Sequence, residues 1–248
     1  MRQYLTLPTA LGIFTIALTI FAAPAIAQDI SISLGDDGSI AARSVQLLVL
    51  VTILSIVPGL AIMVTCFPFI VTVLAILRQA IGLQQSPPNM LIISLALFLT
   101  YFVMEPVFTE AWVTGIEPLI NDKISVEQSF TKAIIPFRHF MAARIDPDTF
   151  ETLTALRPES VQAGDTSTQP LSLLVPSFLL SEIERAFEIG FLIFLPFLII
   201  DLVVAAILMS MGMMMVPPAI VSLPFKLAFF VVADGWSLVS AALVRSYF

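Results

Sequence analysis

The chain has 248 residues, of which 58% are hydrophobic and only 12% are charged. A soluble domain is about half apolar and about a quarter charged, so this composition indicates a membrane protein. The formal net charge of −7, without a basic cluster, argues against nucleic-acid binding. A single cysteine, Cys66, excludes a disulfide bond within one chain.

The first 27 residues have the layout of a secretory signal peptide. Arg2 supplies a positive charge, residues 11–23 form an apolar run, and residues 25–27 read Ala-Ile-Ala, a small-residue cleavage site. A first transmembrane anchor is the alternative, but the apolar run is short for one. We therefore predict a cleaved signal peptide at residues 1–27. A polar N-terminal segment at residues 28–44 then begins on the exported side of the membrane.

Two apolar segments predict a first helical hairpin over residues 45–104. They lie at residues 47–77 and 90–104. The first of them is longer than one crossing requires, and Pro58 and Pro68 interrupt it. It therefore predicts one crossing plus a bent or interfacial piece.

Residues 105–170 have a different character and predict a small amphipathic helical domain on the exported, periplasmic side. They hold more than half of the acidic residues and the only histidine, His139. Ser125 with Gln128 has the spacing of a capping box, and Asp146 before a proline is typical of a helix start. Apolar residues recur at helical spacing at Val126, Phe130, Ile134, Phe137 and Met141.

A second hairpin is predicted over residues 171–248, from two further apolar segments. Four charged residues near its start are Glu182, Glu184, Arg185 and Glu188. We interpret them as a solvated or interfacial helix turn. Contact with residues 105–170 or with neighbouring subunits is the alternative.

The tips of the two predicted hairpins share the pattern G-x4-P-P. Glycine permits a left-handed helix end and proline stops a helix, so each tip is a predicted turn between two helices. The match favours an internal repeat, weak beyond the tips, over a coincidence of turn residues. Arg78 stands where the positive-inside rule expects a cation on the cytoplasmic side. The tip residues are Arg78, Gly82, Pro87, Pro88, Gly212, Pro217 and Pro218.

Asp201 and Lys226 stand in strongly apolar surroundings on opposite sides of the second tip. A charge at bilayer depth costs about 2.5–3.5 kcal/mol on insertion scales, so such residues face protein or water and pair. Both lie at comparable depths from the tip, which predicts a buried charge pair. A structural role is favoured over a proton relay or a gate, because one pair is thin evidence for a relay.

Methionines cluster at the second tip, at Met209, Met211, Met213, Met214 and Met215. Three interpretations compete: apolar filling, a Cu(I) site of thioethers, and a compliant seal. No histidine or cysteine stands beside them for a metal, and leucine would fill a rigid tip better, so the pattern favours the seal. The sequence carries no nucleotide-binding loop, zinc motif or catalytic triad, and we expect neither an enzyme nor a cofactor.

Several longer stretches resemble the FliP family of flagellar biosynthetic proteins. The resemblance covers roughly residues 45–248, with a signal peptide of the expected kind before it. The injectisome proteins of virulence secretion are the nearest relatives of that family. The matching stretches are residues 77–89 (LRQAIGLQQSPPN), 95–100 (LALFLT), 188–203 (EIGFLIFLPFLIIDLV), 212–218 (GMMMVPP), 223–226 (LPFK) and 234–236 (DGW).

The resemblance implies a core channel subunit of the flagellar type III export gate, through which unfolded flagellar subunits pass. In that family the protein is a homo-oligomer, a pentamer, which assembles with FliQ and FliR and with the FlhA and FlhB export apparatus. It resides in the bacterial inner membrane at the flagellar basal body. The methionine loop of the family is a pore gasket and falls on Met213, Met214 and Met215, which Met209 and Met211 extend.

Two other kinds of function remain open at this point. A small-solute or Cu(I) transporter requires a polar site between the hairpins, for which the membrane segments offer few groups. A non-conducting scaffold of the basal body requires no sealing tip. The fold expected in all three cases is an all-α membrane protein with two Pro-broken hairpins and a small helical domain between them.

Overall fold

The computed structural model describes residues 40–83, 86–160, 165–213 and 215–248, with the side chains of residues 40–43 and 160 left out. These residues form helices and turns and contain no strand, which confirms the all-α class. The predicted signal peptide, most of the polar N-terminal segment and Met214 lie outside the described residues. The helices are α1 Ile40–Met63, α2 Phe67–Ile81, α3 Asn89–Ala111, α4 Glu117–Ile120, α5 Val126–Ala142, α6 Pro147–Leu156, α7 Leu171–Ser210, α8 Pro218–Val232 and α9 Gly235–Arg245.

The helices are long and apolar enough to cross a membrane in three places. These candidate spans are Ser44–Met63, Asn89–Ile120 and Leu171–Ser210. Helices α8 and α9 meet at a bend of 61° and could together form a fourth. By length and composition, the described residues therefore agree with the membrane class that the composition predicted.

The chain divides into two compact units after Val51. The described part of the first unit is the beginning of α1, whose side chains from Ser44 onward are exposed. The second unit contains the core. Its central helix is α2, which packs against α3, α7 and α8 and buries Phe69 and Val73 completely.

The apolar run that predicted a crossing and a bent piece is two helices with a break at residues 64–66. Val64, directly after α1, packs against a small cluster that contains Met141 of α5 and Phe178 of α7. Helix α1 therefore ends beside α5, and α2 alone leads to the first tip. Glycines with positive φ lie at both tips: Gly82 (+89°), which ends α2, and Gly212 (+73°), after α7.

The predicted domain boundary between residues 104 and 105 falls inside α3. The helix continues to Ala111, then through a π-helical turn, Trp112–Ile116, to the end of α4. A single charge at Glu105 does not end a helix whose following residues are again largely apolar. The amphipathic helices are α5 and α6. The capping box of Ser125 and Gln128 and the Asp146 cap are confirmed.

The π-helical turn packs closely on α5 at Gly115. A β-carbon there would lie 2.6 Å from Cβ and 2.9 Å from Cα of Ala133, and the Gly115 carbonyl accepts a hydrogen bond from Ser129 at 2.9 Å. The backbone of α5 cannot move away cheaply. We therefore expect Gly115→Ala to lower the free energy of unfolding by about 1–3 kcal/mol, the usual cost of overpacking.

Thermal unfolding in detergent measures this cost. Gly59→Ala in α1 is the matched control, because no atom of the described chain lies within 4 Å of the position its β-carbon would take. An unchanged or higher Tm is expected for the control, since alanine favours a helix over glycine. Equal Tm values for the two variants would contradict the tight contact.

Candidate functional site

The methionine tip projects away from the rest of the described chain. The exposed fractions are 62% for Met209, 67% for Met211, 43% for Met213 and 97% for Met215. At Gly212 no atom of the described residues lies within 4 Å of the position of a β-carbon. These side chains therefore do not fill the core of their own chain, which argues against apolar filling in its simplest form.

Below the tip, the structure brings Asp201 of α7 and Lys226 of α8 together. The Nζ atom of Lys226 donates a hydrogen bond to Oδ2 of Asp201 at 2.6 Å, and the two side chains are 7% and 32% exposed, respectively. The hydroxyl of Ser222 donates to the other carboxylate oxygen at 2.5 Å. The pair therefore joins the two helices of the second hairpin.

Lys226 also connects this hairpin to the first one. Its Nζ atom donates to the carbonyl oxygen of Ala80 at 3.2 Å. That carbonyl lies in the last turn of α2, where main-chain oxygens lack partners within the helix and a cation is favourable. Sequence reasoning missed Ala80 and Ser222. Only the spacing of Ser222 and Lys226, four residues apart on one helix face, was a usable signal.

The first tip is held by Arg78. Its Nη1 atom donates to the side-chain oxygen of Asn89, and to the Pro87 carbonyl oxygen at 3.4 Å. This arginine spans the turn from the end of α2 to the start of α3. A β-carbon at Gly82 would lie 3.6 Å from Leu223 and 3.9 Å from Nζ of Lys226, so the first tip sits against α8.

A second buried charge cluster lies at the other end of the hairpins, around Glu182 of α7. Its carboxylate is 0% exposed and accepts from Nε of Arg144 at 2.9 Å and from the hydroxyl of Tyr247. Arg185 contributes a weaker ion pair at 3.7 Å. The interpretation of this turn as solvated is therefore wrong for Glu182. The alternative, contact with residues 105–170, is correct there because Arg144 follows α5 directly.

Arg144 and Tyr247 hold each other in place. The guanidinium lies 4.1 Å from the centre of the Tyr247 ring, and Nη1 donates to the Ser246 carbonyl at 2.9 Å. Nη2 is buried without an acceptor among the described residues, and this ring contact offsets part of that cost. Burial, and then the charge of Glu182, raises the pKa of Tyr247, so its phenol keeps the proton that it donates.

The fold and these two clusters define an all-α membrane protein with two hairpins. Buried charges stabilise the packing of these hairpins near their tips and at the opposite end. A model of the FliP family matches residues 50–243. The chain belongs to the FliP family.

Curated relatives support this over most of the chain. Flagellar biosynthetic protein FliP of Caulobacter vibrioides is 50% identical over 235 residues, which is 94% of this chain and 87% of that protein. The protein of the same name from Agrobacterium fabrum is 47% identical over 212 residues, 85% of this chain and 86% of its own. That of Bacillus subtilis is 44% identical over 222 residues, 88% of this chain and 98% of its own.

Proposed function

We propose that this chain is a core channel subunit of the flagellar type III export gate in the bacterial inner membrane. Membership of the FliP family, and the name of its relatives, support a role in flagellar biosynthesis. The observation that supports the channel role is the methionine tip, whose described side chains are largely exposed between two helices.

In this proposal the tip is a pore gasket. Several copies of the chain bring their tips together around one axis, and the thioether side chains close the opening between them. Methionine is unbranched, flexible and polarizable, so it adapts to partner surfaces of different shape. Such a ring closes on itself when empty and around an unfolded flagellar subunit during export, while it limits the leak of ions.

Flexible sealing side chains must be held at a fixed position, and the charge pair fixes the two helices that carry them. Asp201 and Lys226 join α7 to α8 below the tip, and Lys226 extends this joint to Ala80 of the first hairpin. The flexible side chains are therefore carried on a stem that three helices stabilise. This favours a structural role for the pair over a proton relay.

The exposed apolar surface supports an assembly rather than an isolated chain. Helix α7 alone exposes about half or more of Phe191, Leu192, Leu202 and Val203. Surfaces of this kind face lipid or other subunits. We propose that they meet further copies of this chain, as in the pentamer of the family, together with FliQ and FliR. FlhA and FlhB complete the apparatus, and α5 and α6 lie on its periplasmic side.

The test replaces Met213, Met214 and Met215 together with alanine. We expect membrane ion conductance to rise at least several-fold while the complex still assembles, because alanine cannot fill the opening. Met90→Ala is the matched control: Met90 is exposed to 72% but lies at the start of α3, so its loss should cause no leak.

Three other results would contradict the gasket. Normal conductance and normal export of flagellin would mean that the methionines are filler. A change confined to copper uptake would favour a Cu(I) transporter. Unchanged conductance with loss of the assembled complex would favour a non-conducting scaffold of the basal body.

A further inference from the structure

Two cavities adjoin each other where α5 meets the beginning of α7. Each has a volume of about 500 Å³, and they share Phe130, Ile134 and Leu171 as a common wall. One is lined almost entirely by apolar side chains, and the lining of the other also includes polar and charged ones. The two cavities therefore lie side by side, as an apolar half and a more polar half on either side of a shared wall.

The apolar half lies where two of the candidate membrane spans, Ser44–Met63 and Leu171–Ser210, have an end, and the span Asn89–Ile120 passes beside it. Val57 and Leu60 come from the last two turns of α1, Phe108 from the outer part of α3, and Val175 from the first turns of α7. The ends of α1 and α7 both lie beside α5 here. A groove beside the ends of membrane helices lies at the level where lipid chains meet lipid headgroups.

The polar half presents a fixed cation. Nη1 of Arg138 donates to the carbonyl oxygens of Gln169 at 2.7 Å and Ser167 at 3.3 Å, which holds the guanidinium at the cavity wall. Within the described residues these bonds use Nη1, which leaves Nε and Nη2 for a further acceptor. Thr131, His139 and Thr168 also line this half, and no described acidic residue does.

We propose that this site binds a phospholipid with an anionic headgroup. One acyl chain occupies the apolar half beside α1, and the phosphodiester lies against Arg138. A guanidinium matches a phosphate with two parallel hydrogen bonds, and basic pockets between membrane helices are known to select anionic headgroups.

The same site gives the lipid a role in placing the helices. Its apolar half is lined by side chains of α1, α3, α5 and α7 together. A bound acyl chain fills the space between these helices. We therefore expect phosphatidylglycerol to raise the Tm of the full chain in detergent, and phosphatidylcholine to do so much less.

Binding of dioleoyl phosphatidylglycerol to the full chain, measured by native mass spectrometry, tests the proposal. Arg138→Gln is expected to weaken binding about ten-fold, the loss expected when one charge-assisted pair disappears. Ile134→Trp is expected to weaken it to a similar extent by filling the groove, and it leaves Arg138 with its bonds intact. Lys132→Gln is the matched control, because Lys132 is an exposed cation on α5 that lines neither cavity.

Each other result overturns the site. Equal binding of phosphatidylglycerol and phosphatidylcholine would show that Arg138 does not recognise an anionic headgroup. Unchanged binding by Ile134→Trp would show that no acyl chain occupies the apolar half. Lipid binding that stays normal in both variants while self-association of the chain falls would make the groove an interface between copies. Lipid binding that is lost only in Arg138→Gln, together with a lowered Tm of that variant in lipid-free detergent, would show that Arg138 stabilises the turn at Ser167 and Gln169 and does not bind the headgroup.

Discussion

Replacing Glu182 with Gln lowers the free energy of unfolding by about 3–5 kcal/mol, the cost of breaking a buried ion pair from one side. The reason is the position of Arg144. Its side chain is only 14% exposed and its Nε–H bond ends on Glu182. Glutamine keeps the shape of the carboxylate but removes its charge, so the guanidinium is left buried without a counterion.

The partners of Glu182 give a graded series of controls. Tyr247→Phe removes one hydrogen bond to the carboxylate and keeps the ring contacts with Phe140 and Phe69, so a smaller loss of about 1.5–3 kcal/mol is expected. Arg185→Gln should cost about 0–1 kcal/mol, because that pair is longer and its arginine side chain is 34% exposed.

Thermal unfolding of the four proteins in one detergent measures the series. The order of Tm is expected to be wild type, Arg185→Gln, Tyr247→Phe and, lowest, Glu182→Gln. A Tm for Glu182→Gln equal to that of Arg185→Gln would show that Glu182 is solvated after all. A fall in Tm for Tyr247→Phe as large as that for Glu182→Gln would show that the hydrogen bond of the phenol, and not the ion pair, contributes most of the stability of this cluster.

This cluster marks the limit of what the sequence predicts. The bonds of Glu182 reach Arg144 across 38 residues and Tyr247 across 65. Periodicity and hydropathy describe one segment at a time, so they report charges near the start of a helix and assign them to solvent. Only the packing of α5, α7 and the last residues of the chain shows that this carboxylate is enclosed.

Features set by local backbone chemistry were predictable. Glycine accepts positive φ and proline is favoured at the start of a helix, so the G-x4-P-P pattern alone predicts a turn at Gly82 and Gly212 and a new helix at Pro88 and Pro218. The caps of α5 and α6 follow in the same way from Ser125 and Asp146. The end of α3 was not predictable in this way. The charge at Glu105 suggested a boundary, but the sequence after it is largely apolar and the helix continues to Ala111.

The contacts below the methionine tip were predictable only in part. Counting residues on each side of the tip predicted that Asp201 and Lys226 lie at similar depth, because a helix advances by a fixed rise. The carbonyl oxygen of Ala80 was not predictable, since it belongs to the other hairpin and any residue type supplies a carbonyl. The exposure of the methionines was predictable only in part, because it depends on which other segments of the folded chain pack against the tip.

Replacing Lys226 with Met is expected to cost about 3 kcal/mol of stability, the lower end for a broken buried pair, because Asp201 keeps partial exposure and its bond from Ser222. The variant also removes the donor to Ala80, so the two hairpins lose their common joint below the tip. We expect a lowered Tm in detergent and, if the proposed gate is correct, an ion leak through the assembled complex. Lys132→Met, which removes an exposed cation from α5, should leave both unchanged.

A double-mutant cycle separates the pair from its surroundings. Lys226→Met combined with Asp201→Asn removes both charges, so its cost should be smaller than the sum of the two single variants. Additive costs would show that the two side chains do not depend on each other.

The single variant Asp201→Asn distinguishes a joint from a proton relay. Asparagine still accepts hydrogen bonds from Lys226 and Ser222 through its side-chain oxygen, but it cannot take up and release a proton. A joint requires only the acceptor, so flagellin export should persist at a reduced Tm. A relay requires the carboxylate itself, and export would then stop while the complex assembles with a Tm close to that of the wild type. We expect the first result, because every contact of this pair in the structure joins one helix to another.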